Sequence, residues 1–362
     1  MKKIMFFMFS FSGGGAERTV VNIVNNLSRE TYCPILVIGT NKDAPYLDDL
    51  STDVRVINLR AKKLMTSLIP LCKCIKKEKP DVLFSTVNQN NIVLSLAKVL
   101  SFKQSQLVIR EANNRTQSGN ISFFNKFLTF LTYNLISNQV IALSNGVKKD
   151  LVENFRIWKS KITVIHNPVE VNKIKKLSHE PVKDFNFDNG QRIIIAVGRL
   201  VDQKDYPTLL KAIKKTKGND QLLILGKGVL EHKLKRMCVE LGIENKVSFL
   251  GFKKNPYKYI KRSDVFVLSS KWEGFGHVIV EAMATGVPVI STNCNSGPAE
   301  IIGDNKYGLI VPTENSCILA ENIEKMIYDN KLKDKYAELG LQRAEVFSAT
   351  SIIKEYEKVF SS

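Results

Sequence analysis

Short apolar runs alternate along this chain with longer segments whose apolar residues recur at helical spacing. The apolar runs are KIMFFMF, PILVIG, DVLFST, QLVIR and QVIALS in the first half, and RIIIAVG, QLLILG, VSFLG, DVFVLS and PVIST in the second. Continuous apolar strands that alternate with helices are typical of parallel sheets covered on both faces. The pattern predicts an α/β protein with two doubly wound, Rossmann-like domains that bind ligands at the carboxyl ends of their strands.

A polar segment at 163–190, which contains two prolines, separates the two series of strands. It predicts an N-terminal domain at 1–168 and a C-terminal domain at 169–348. The total of 362 residues fits two domains of about 150 to 200 residues each better than a single core. Apolar residues of the last segment, 349–362, lie on one face of a helix, and we expect this helix to pack back on the first domain.

Charge and cysteine content narrow the class of protein. The net charge is +18, which implies an anionic partner, yet no nucleic-acid-binding motif accompanies it. Six scattered cysteines without metal-ligand spacing fit a reducing compartment. No apolar run approaches the roughly 20 residues of a membrane-spanning helix, and the start MKKIMFFMF fits a buried strand better than a signal peptide. We therefore expect a cytoplasmic protein that binds no nucleic acid.

Two glutamates, Glu273 and Glu281, bracket a glycine turn in the segment KWEGFGHVIVEAMATG. Because the strand DVFVLS precedes it, the turn lies at a carboxyl end, and the following residues predict a helix that ends at the next glycine. Gly276, His277 and Val278 then lie at the helix N-terminus, a ready site for an anion. Glu281 could accept hydrogen bonds from a ribose diol, although an ordinary strand–turn–helix has the same pattern.

A second group of candidates follows other strands of the C-terminal domain. Arg199 and Lys204 lie five residues apart in the loop after RIIIAVG. An arginine fork and a lysine point charge suit a diphosphate, although both are also ordinary loop residues. Gly226 in ILGKG and Phe252 in FLGF could frame a planar base. Together these residues predict a site for a nucleotide diphosphate.

The N-terminal domain has a glycine-rich candidate of its own. Gly14 and Gly15 follow the first strand in GGGAER, where they either let the backbone approach a phosphate or sugar or form a flexible turn. Their spacing is not the GxGxxG of dinucleotide-binding proteins, which argues against an NAD oxidoreductase.

The segment at 60–80 carries many lysines around regularly spaced apolar residues. It predicts a basic amphipathic helix, for which two interpretations stay open. Such a helix is typical of a membrane-surface element, and Lys73, Lys76 and Lys77 are then candidates for contact with an acidic lipid or a lipid-linked acceptor. Alternatively, the helix packs on its own sheet and its lysines are solvated.

Taken as a set, these motifs resemble the family-4 glycosyltransferases, which are retaining nucleotide-sugar enzymes of the GT-B fold. The resemblance covers nearly the whole chain and rests on GGGAER, VGRLVDQKD, ILGKG, FLGF, EGFGHVIVEAMATGVPVIST and GPAEII. The chain is most similar to bacterial members that build lipid-linked oligosaccharides, O-antigen or capsule. The resemblance implies a GT-B protein whose two domains face a central crevice and which works at the cytoplasmic face of the inner membrane. It also implies transfer of an N-acetylhexosamine or hexose, from a UDP-sugar, to a polyprenyl-diphosphate-linked glycan.

The resemblance also assigns roles. Glu273 would contact the hydroxyls of the donor sugar, Glu281 would hold the ribose, and Arg199 and Lys204 would stabilise the departing diphosphate. From the first domain, Gly14 and Gly15 would approach the donor. His277 and Val278 would offer backbone amides. Because the chain has no D-x-D pair, no metal and no other cofactor are expected.

One position departs from the family pattern. Many relatives carry a histidine after the glutamate of the motif that reads VIREANNRT here, and Ala112 stands in its place. Asn113 or Asn114 is a candidate substitute on the acceptor side. A covalent and a front-face route to retention both stay open. The alternative function is a catalytically inactive protein that binds a nucleotide sugar or an anionic surface.

Overall fold

The structure is a computed structural model that describes residues 1–11, 15–40, 44–116, 121–187, 190–294 and 296–362. These residues form two compact units. The first comprises Met1–Pro168 and Ala349–Ser362, and the second comprises Val169–Ser348. Each unit is an α/β structure on a parallel sheet, which confirms the fold class that the hydrophobic pattern predicts.

The first unit is built on a seven-stranded sheet. Its strands are β1 (Lys2–Met8), β2 (Tyr32–Ile38), β3 (Arg55–Asn58), β4 (Val82–Thr86), β5 (Gln106–Glu111), β6 (Gln139–Ala142) and β7 (Ile162–Val164). They lie in the order β3-β2-β1-β4-β5-β6-β7. The helices are α1 (Gly15–Asn26), α2 (Leu68–Glu78), α3 (Asn88–Ser101), α4 (Phe123–Phe130), which a π-helical turn extends to Ile136, and α5 (Asn145–Phe155). Phe6 of β1 is level with Leu36 of β2 and Phe84 of β4, and all three are fully buried.

The second unit is built on a six-stranded sheet. Its strands are β8 (Ile193–Val197), β9 (Gln221–Leu225), β10 (Val247–Gly251), β11 (Val265–Leu268), β12 (Val289–Thr292) and β13 (Leu309–Val311). Its helices are α6 (Val171–Ser178), α7 (Tyr206–Lys215), α8 (Glu231–Leu241), α9 (Tyr257–Ile260), α10 (His277–Ala284), α11 (Pro298–Ile302), α12 (Ser316–Tyr328) and α13 (Asn330–Val346). The strand order is β10-β9-β8-β11-β12-β13, so the order reverses between β8 and β11. In open α/β sheets ligands bind at this point of reversal.

The last helix, α14 (Ala349–Ser361), packs on the sheet of the first unit. The Phe360 ring meets the Phe84 ring edge-on at 5.8 Å between centroids, and it meets Phe6 in the same way at 6.1 Å. Tyr356 lies 6.2 Å from Phe84. Each such aromatic pair adds about 0.5 to 1.5 kcal/mol to the gain from burial. This cluster of buried rings fixes the helix to the sheet.

The three strands that the hydrophobic pattern misses are β3, β7 and β13. All three lie at the edge of a sheet, and they have four, three and three residues. An edge strand has one neighbour and is often short, so its apolar signal is weak. The pattern therefore identifies the centre of each sheet better than its edges.

The basic helix of the first unit is shorter than predicted. The prediction covers 60–80, whereas the structure has a 3₁₀ turn at Met65–Ser67 followed by α2 from Leu68. Pro70 explains this start, because proline is tolerated in the first turn of a helix but clashes with the preceding turn when it lies further inside. Lys79 ends the helix in the left-handed conformation, with φ +48°.

None of the helices in the described ranges is both long enough and apolar enough to cross a bilayer.

Candidate active site

Two loops of the second unit meet at the point where its strand order reverses. One follows β8 and carries a 3₁₀ turn at Asp202–Lys204, and the other follows β11 and carries Glu273. Because β8 and β11 are adjacent and parallel, their carboxyl ends lie at the same edge of the sheet. Lys204 Nζ donates to Glu273 Oε1 over 2.5 Å. The structure thus brings two of the predicted site residues into direct contact.

The Lys204–Glu273 pair is mostly shielded from water. The side chains are 14% and 9% exposed. Ser270 Oγ donates to the same carboxylate oxygen at 2.7 Å. A charge pair of this burial is stable only with such additional hydrogen bonds, since both ions lose most of their hydration.

Backbone contacts hold the two loops together. Gln203 Nε2 donates to the carbonyl of Trp272 at 2.9 Å, and the Lys271 amide donates to the carbonyl of Gln203 at 2.9 Å. Ser269 Oγ donates to the carbonyl of Lys204 at 2.8 Å. Ser269, Lys271 and Trp272 are thereby tied to Gln203 and Lys204 of the other loop, so Lys204 and Glu273 are positioned before any ligand arrives.

Two neighbouring titratable groups, Cys294 and Tyr206, are neutral. Burial, and next the Glu273 carboxylate, raise the pKa of the Cys294 thiol to about 12. The same two causes raise the pKa of the Tyr206 phenol, whose Oη donates to the carbonyl of Gly198 at 3.1 Å. Both groups therefore stay protonated at neutral pH. Beside them lies the Lys204–Glu273 ion pair.

The turn before α10 has the geometry that the sequence predicts. Gly276 is the residue before the helix, with φ +92°, a conformation that glycine adopts at little cost. His277 and Val278 form the first turn, where amides and the helix dipole favour an anion. A side chain at Gly297 would place its Cβ 2.2 Å from the carbonyl oxygen of Phe275. That close approach packs the segment before α11 against the turn.

Glu281 lies in the interior of α10 and is 3% exposed. Tyr257 Oη, from α9, lies 3.5 Å from its Oε1 at the limit of a hydrogen bond. The carboxylate is held within the second unit, one turn along the helix from Gly276. Its predicted role toward a ribose stays a prediction.

Three loops that contain glycine meet at the carboxyl ends of β8, β9 and β10. Gly226 has φ +146°, and a Cβ there would lie 1.9 Å from the carbonyl oxygen of Gly198. The Gly226 amide donates to the carbonyl of Gly251 at 2.8 Å. The loops after β8, β9 and β10 are therefore in contact, and only glycine fits at their crossing. Arg199 is exposed at this edge, and the ring of Phe252 is 70% exposed.

The first unit holds the remaining predicted residues. Gly14 lies outside the described residues, whereas Gly15 begins α1, and a Cβ on it would meet no described atom within 4 Å. Asn113 is exposed directly after β5. Both belong to the first unit, whereas the residues described above belong to the second.

The lysines of α2 point to solvent. Lys73, Lys76 and Lys77 are all exposed, whereas Leu71 and Ile75 are fully buried. The helix packs against α3 through its apolar side. The arrangement agrees with both interpretations of this segment, since the helix packs on its own domain and still presents a basic face.

A buried polar network around Glu111 is absent from the sequence-based prediction. Glu111, the last residue of β5, is 2% exposed and accepts a hydrogen bond from Tyr133 Oη at 2.8 Å. Asn91 and Asn88 donate to the same phenol oxygen at 2.9 and 3.2 Å. Burial raises the pKa of Glu111, although Arg115 acts against it. A carboxylate at the end of an apolar strand is the signal that could have revealed it.

Comparison with known proteins agrees with the resemblance. Residues 13–173 match the model of Glycosyltransferase Family 4, and residues 179–343 match that of Glycosyl transferases group 1. The chain is 30% identical, over 98% of both chains, to the N-acetylgalactosamine-N,N'-diacetylbacillosaminyl-diphospho-undecaprenol 4-alpha-N-acetylgalactosaminyltransferase of Campylobacter jejuni. It is 27% identical, over 99% of both chains, to the lipopolysaccharide core biosynthesis glycosyltransferase LpsE of Rhizobium meliloti.

Among solved structures, the fold matches Anabaena Alr3699/HepE in complex with UDP, with a TM-score of 0.85 and 21% identity over 100% of both chains. The two parallel-sheet domains therefore define the class of GT-B glycosyltransferases. More particularly, the chain belongs to the glycosyltransferases of family 4, as the relative at 30% identity over nearly its whole length shows. The protein is a glycosyltransferase, and the family resemblance inferred from its motifs is confirmed.

Proposed function

We propose that this protein moves an N-acetylhexosamine or hexose from a UDP-sugar to a polyprenyl-diphosphate-linked glycan, with retention of configuration and without a metal ion. The glycan would belong to a bacterial surface polysaccharide or a glycoprotein. The Campylobacter relative supports this acceptor, because its name specifies a diphospho-undecaprenol substrate. The Anabaena neighbour supports the nucleotide, because it binds UDP.

The buried Lys204–Glu273 pair carries the proposal. It lies where the strand order of the second sheet reverses, four residues before the first turn of α10. A diphosphate that leaves a sugar gains negative charge, and preorganised positive groups stabilise it most effectively where water is excluded. Lys204, Arg199 and the N-terminus of α10 would supply that stabilisation in place of a metal ion.

The pair also suggests what happens when the donor binds. In the free protein, the Glu273 carboxylate accepts hydrogen bonds from Lys204 and from Ser270. A bound diphosphate would compete for Lys204, and Glu273 would then accept hydrogen bonds from hydroxyls of the donor sugar. Glu281 would accept from the ribose, and the exposed ring of Phe252 would stack on the base.

We also propose that the protein works as a peripheral protein at the cytoplasmic face of the membrane. The exposed lysines of α2, Lys73, Lys76 and Lys77, support this location. A lysine close to an anionic lipid surface contributes about 1 kcal/mol of binding free energy. The lipid-linked acceptor of the proposed reaction resides in the same membrane.

The test is release of UDP from a panel of UDP-sugars, in EDTA, with and without a detergent-solubilised polyprenyl-diphosphate-linked glycan. We expect acceptor-dependent release from one donor, and a loss of about 10²- to 10³-fold in Glu273→Gln. The matched control is Glu231→Gln, which alters an exposed glutamate that pairs with Lys235 on α8. Activity that EDTA abolishes would contradict metal independence. Nucleotide binding without turnover of any donor would support the inactive alternative.

A further inference from the structure

The first two turns of α4 expose three phenylalanines. Phe123, Phe124 and Phe127 are 85%, 70% and 51% exposed. Solvent-exposed phenylalanine is costly in water, and three within five positions form a contiguous apolar patch. The buried residues of this helix lie further along, where Thr129 and Thr132 are fully buried. The helix is thus anchored at one end and presents aromatic rings at the other. We call Phe123, Phe124 and Phe127 the phenylalanine patch.

Two basic residues lie on or beside the helix that carries the patch. Arg115 Nη1 donates to Thr129 Oγ1 of α4 at 2.8 Å, and its guanidinium lies 4.3 Å from the centre of the Phe155 ring. Lys126, within the patch segment, lies 6.0 Å from the same ring centre. In the sequence, residues 112–149 include four lysines and arginines and no aspartate or glutamate.

The combination of apolar rings and cations fits one partner best, a bilayer that contains anionic lipid. Phenylalanines enter the boundary between headgroups and acyl chains, while basic residues bind the headgroups. A protein partner would need shape-complementary pockets, whereas a bilayer takes exposed rings without them. We propose that the phenylalanine patch inserts into an anionic membrane surface, an inference that rests on the proposed lipid-linked acceptor.

This inference adds an element to the basic face of α2. The helix α3 packs against both α2 and α4. The lysines of α2 would attract the membrane from a distance, and salt would weaken this attraction. Burial of phenylalanine is insensitive to screening, so the patch would supply the binding that remains at high salt.

The test is sedimentation of the full-length protein with vesicles of phosphatidylglycerol and phosphatidylethanolamine, at low salt and in 1 M salt. We expect the triple variant Phe123→Ser, Phe124→Ser, Phe127→Ser to lose roughly tenfold in vesicle affinity per residue, at both salt concentrations. Phe102→Ser is the matched control, since that ring is 87% exposed at the end of α3. It should bind as the wild type does. The reversal Lys73→Glu, Lys76→Glu, Lys77→Glu should weaken binding at low salt only.

Two results would overturn the inference directly. One is that the wild type fails to bind the vesicles, and the other is that the triple variant binds them as tightly as the wild type does. A wild-type dimer in sedimentation velocity that the triple variant converts to a monomer, without any change in vesicle binding, would identify a second copy as the occupant instead. Thermal unfolding of each variant checks that the fold is intact.

Transfer to the detergent-solubilised acceptor separates this inference from the proposed function. The triple phenylalanine variant should keep wild-type turnover there and lose turnover on the same acceptor embedded in vesicles. If the wild type is inactive in detergent but binds vesicles through the patch, the proposed function fails and the docking surface stands.

Discussion

Replacement of Lys204 by methionine tests whether the buried ion pair serves catalysis or only stability. Methionine keeps most of the length and apolar volume of the lysine and removes its charge. Glu273 would then remain as a buried carboxylate whose one described side-chain donor is Ser270 Oγ, at 2.7 Å. Glu273→Gln and the double variant Lys204→Met/Glu273→Gln complete a cycle in which no charge is left buried in the last member.

The structure sets the expected magnitudes. Removal of one partner from a fully buried pair costs about 3 to 5 kcal/mol. Because Lys204 is 14% exposed and Ser270 still donates, we expect Lys204→Met to lower the free energy of unfolding by about 2 to 3 kcal/mol. The free energy of unfolding of the double variant should lie within about 1 kcal/mol of the wild-type value. Its kcat/KM should stay about 10²- to 10³-fold down, because the departing diphosphate still lacks its cation.

Urea unfolding gives the free energy of unfolding and steady-state UDP release gives kcat/KM, and both are measured on the wild type, the two single variants and the double variant. The exposed pair Glu231–Lys235 provides a parallel cycle in which neither quantity should change. The reasoning would be refuted if the double variant regained activity together with stability. That outcome would make the pair a structural contact without a role toward the diphosphate.

Three further predictions concern other parts of the two units. Gly226→Ala should cost about 1 to 3 kcal/mol of stability, because its Cβ would lie 1.9 Å from the Gly198 carbonyl oxygen. Gly15→Ala should cost none, because its Cβ would meet no described atom within 4 Å. The urea midpoint measures both, and equal midpoints would contradict the crossing of the loops. Arg199→Met should lower kcat/KM for the nucleotide sugar about 10- to 100-fold without a change in melting temperature. The control Arg236→Met, at an exposed position on α8, should change neither quantity. Full activity of Arg199→Met would show that Arg199 does not contact the diphosphate. Burial raises the folded-state pKa of Glu111 above its usual value of 4.5. The wild type should therefore lose stability relative to Glu111→Gln as pH rises from about 4.5 through that folded-state pKa. A difference in free energy of unfolding between the two proteins that does not change with pH would contradict the raised pKa.

The hydrophobic pattern predicts the strands at the centre of both sheets because these are buried on both faces. Every apolar run identified in the sequence contains a strand, from β1 to β12. The edge strands β3, β7 and β13 escape it because three or four residues with one neighbour leave little pattern. The start of α2 was misplaced for a different reason, since the position of Pro70 decides it and the amphipathic period runs past it.

The site could be predicted as a set of loops but not as a set of contacts. Lys204 and Glu273 are separated by 69 positions, and their pairing depends on the adjacency of β8 and β11, which no local pattern encodes. The network around Glu111 was overlooked because Tyr133, which donates to Glu111, and Asn91, which donates to Tyr133, come from other elements. The segment FFNKFLTF has the composition of a core helix, yet three of its four phenylalanines are exposed. Composition alone does not distinguish a core face from a docking face.

The anomeric configuration of the product tests the central claim most directly. The protein would be incubated in EDTA with an α-linked UDP-sugar and a polyprenyl-diphosphate-linked acceptor, and the new linkage would be determined by NMR. A retaining transferase whose diphosphate is held by Lys204, Arg199 and the N-terminus of α10 predicts an α-linked product formed without metal. A β-linked product, or transfer that requires a divalent cation, would contradict the account.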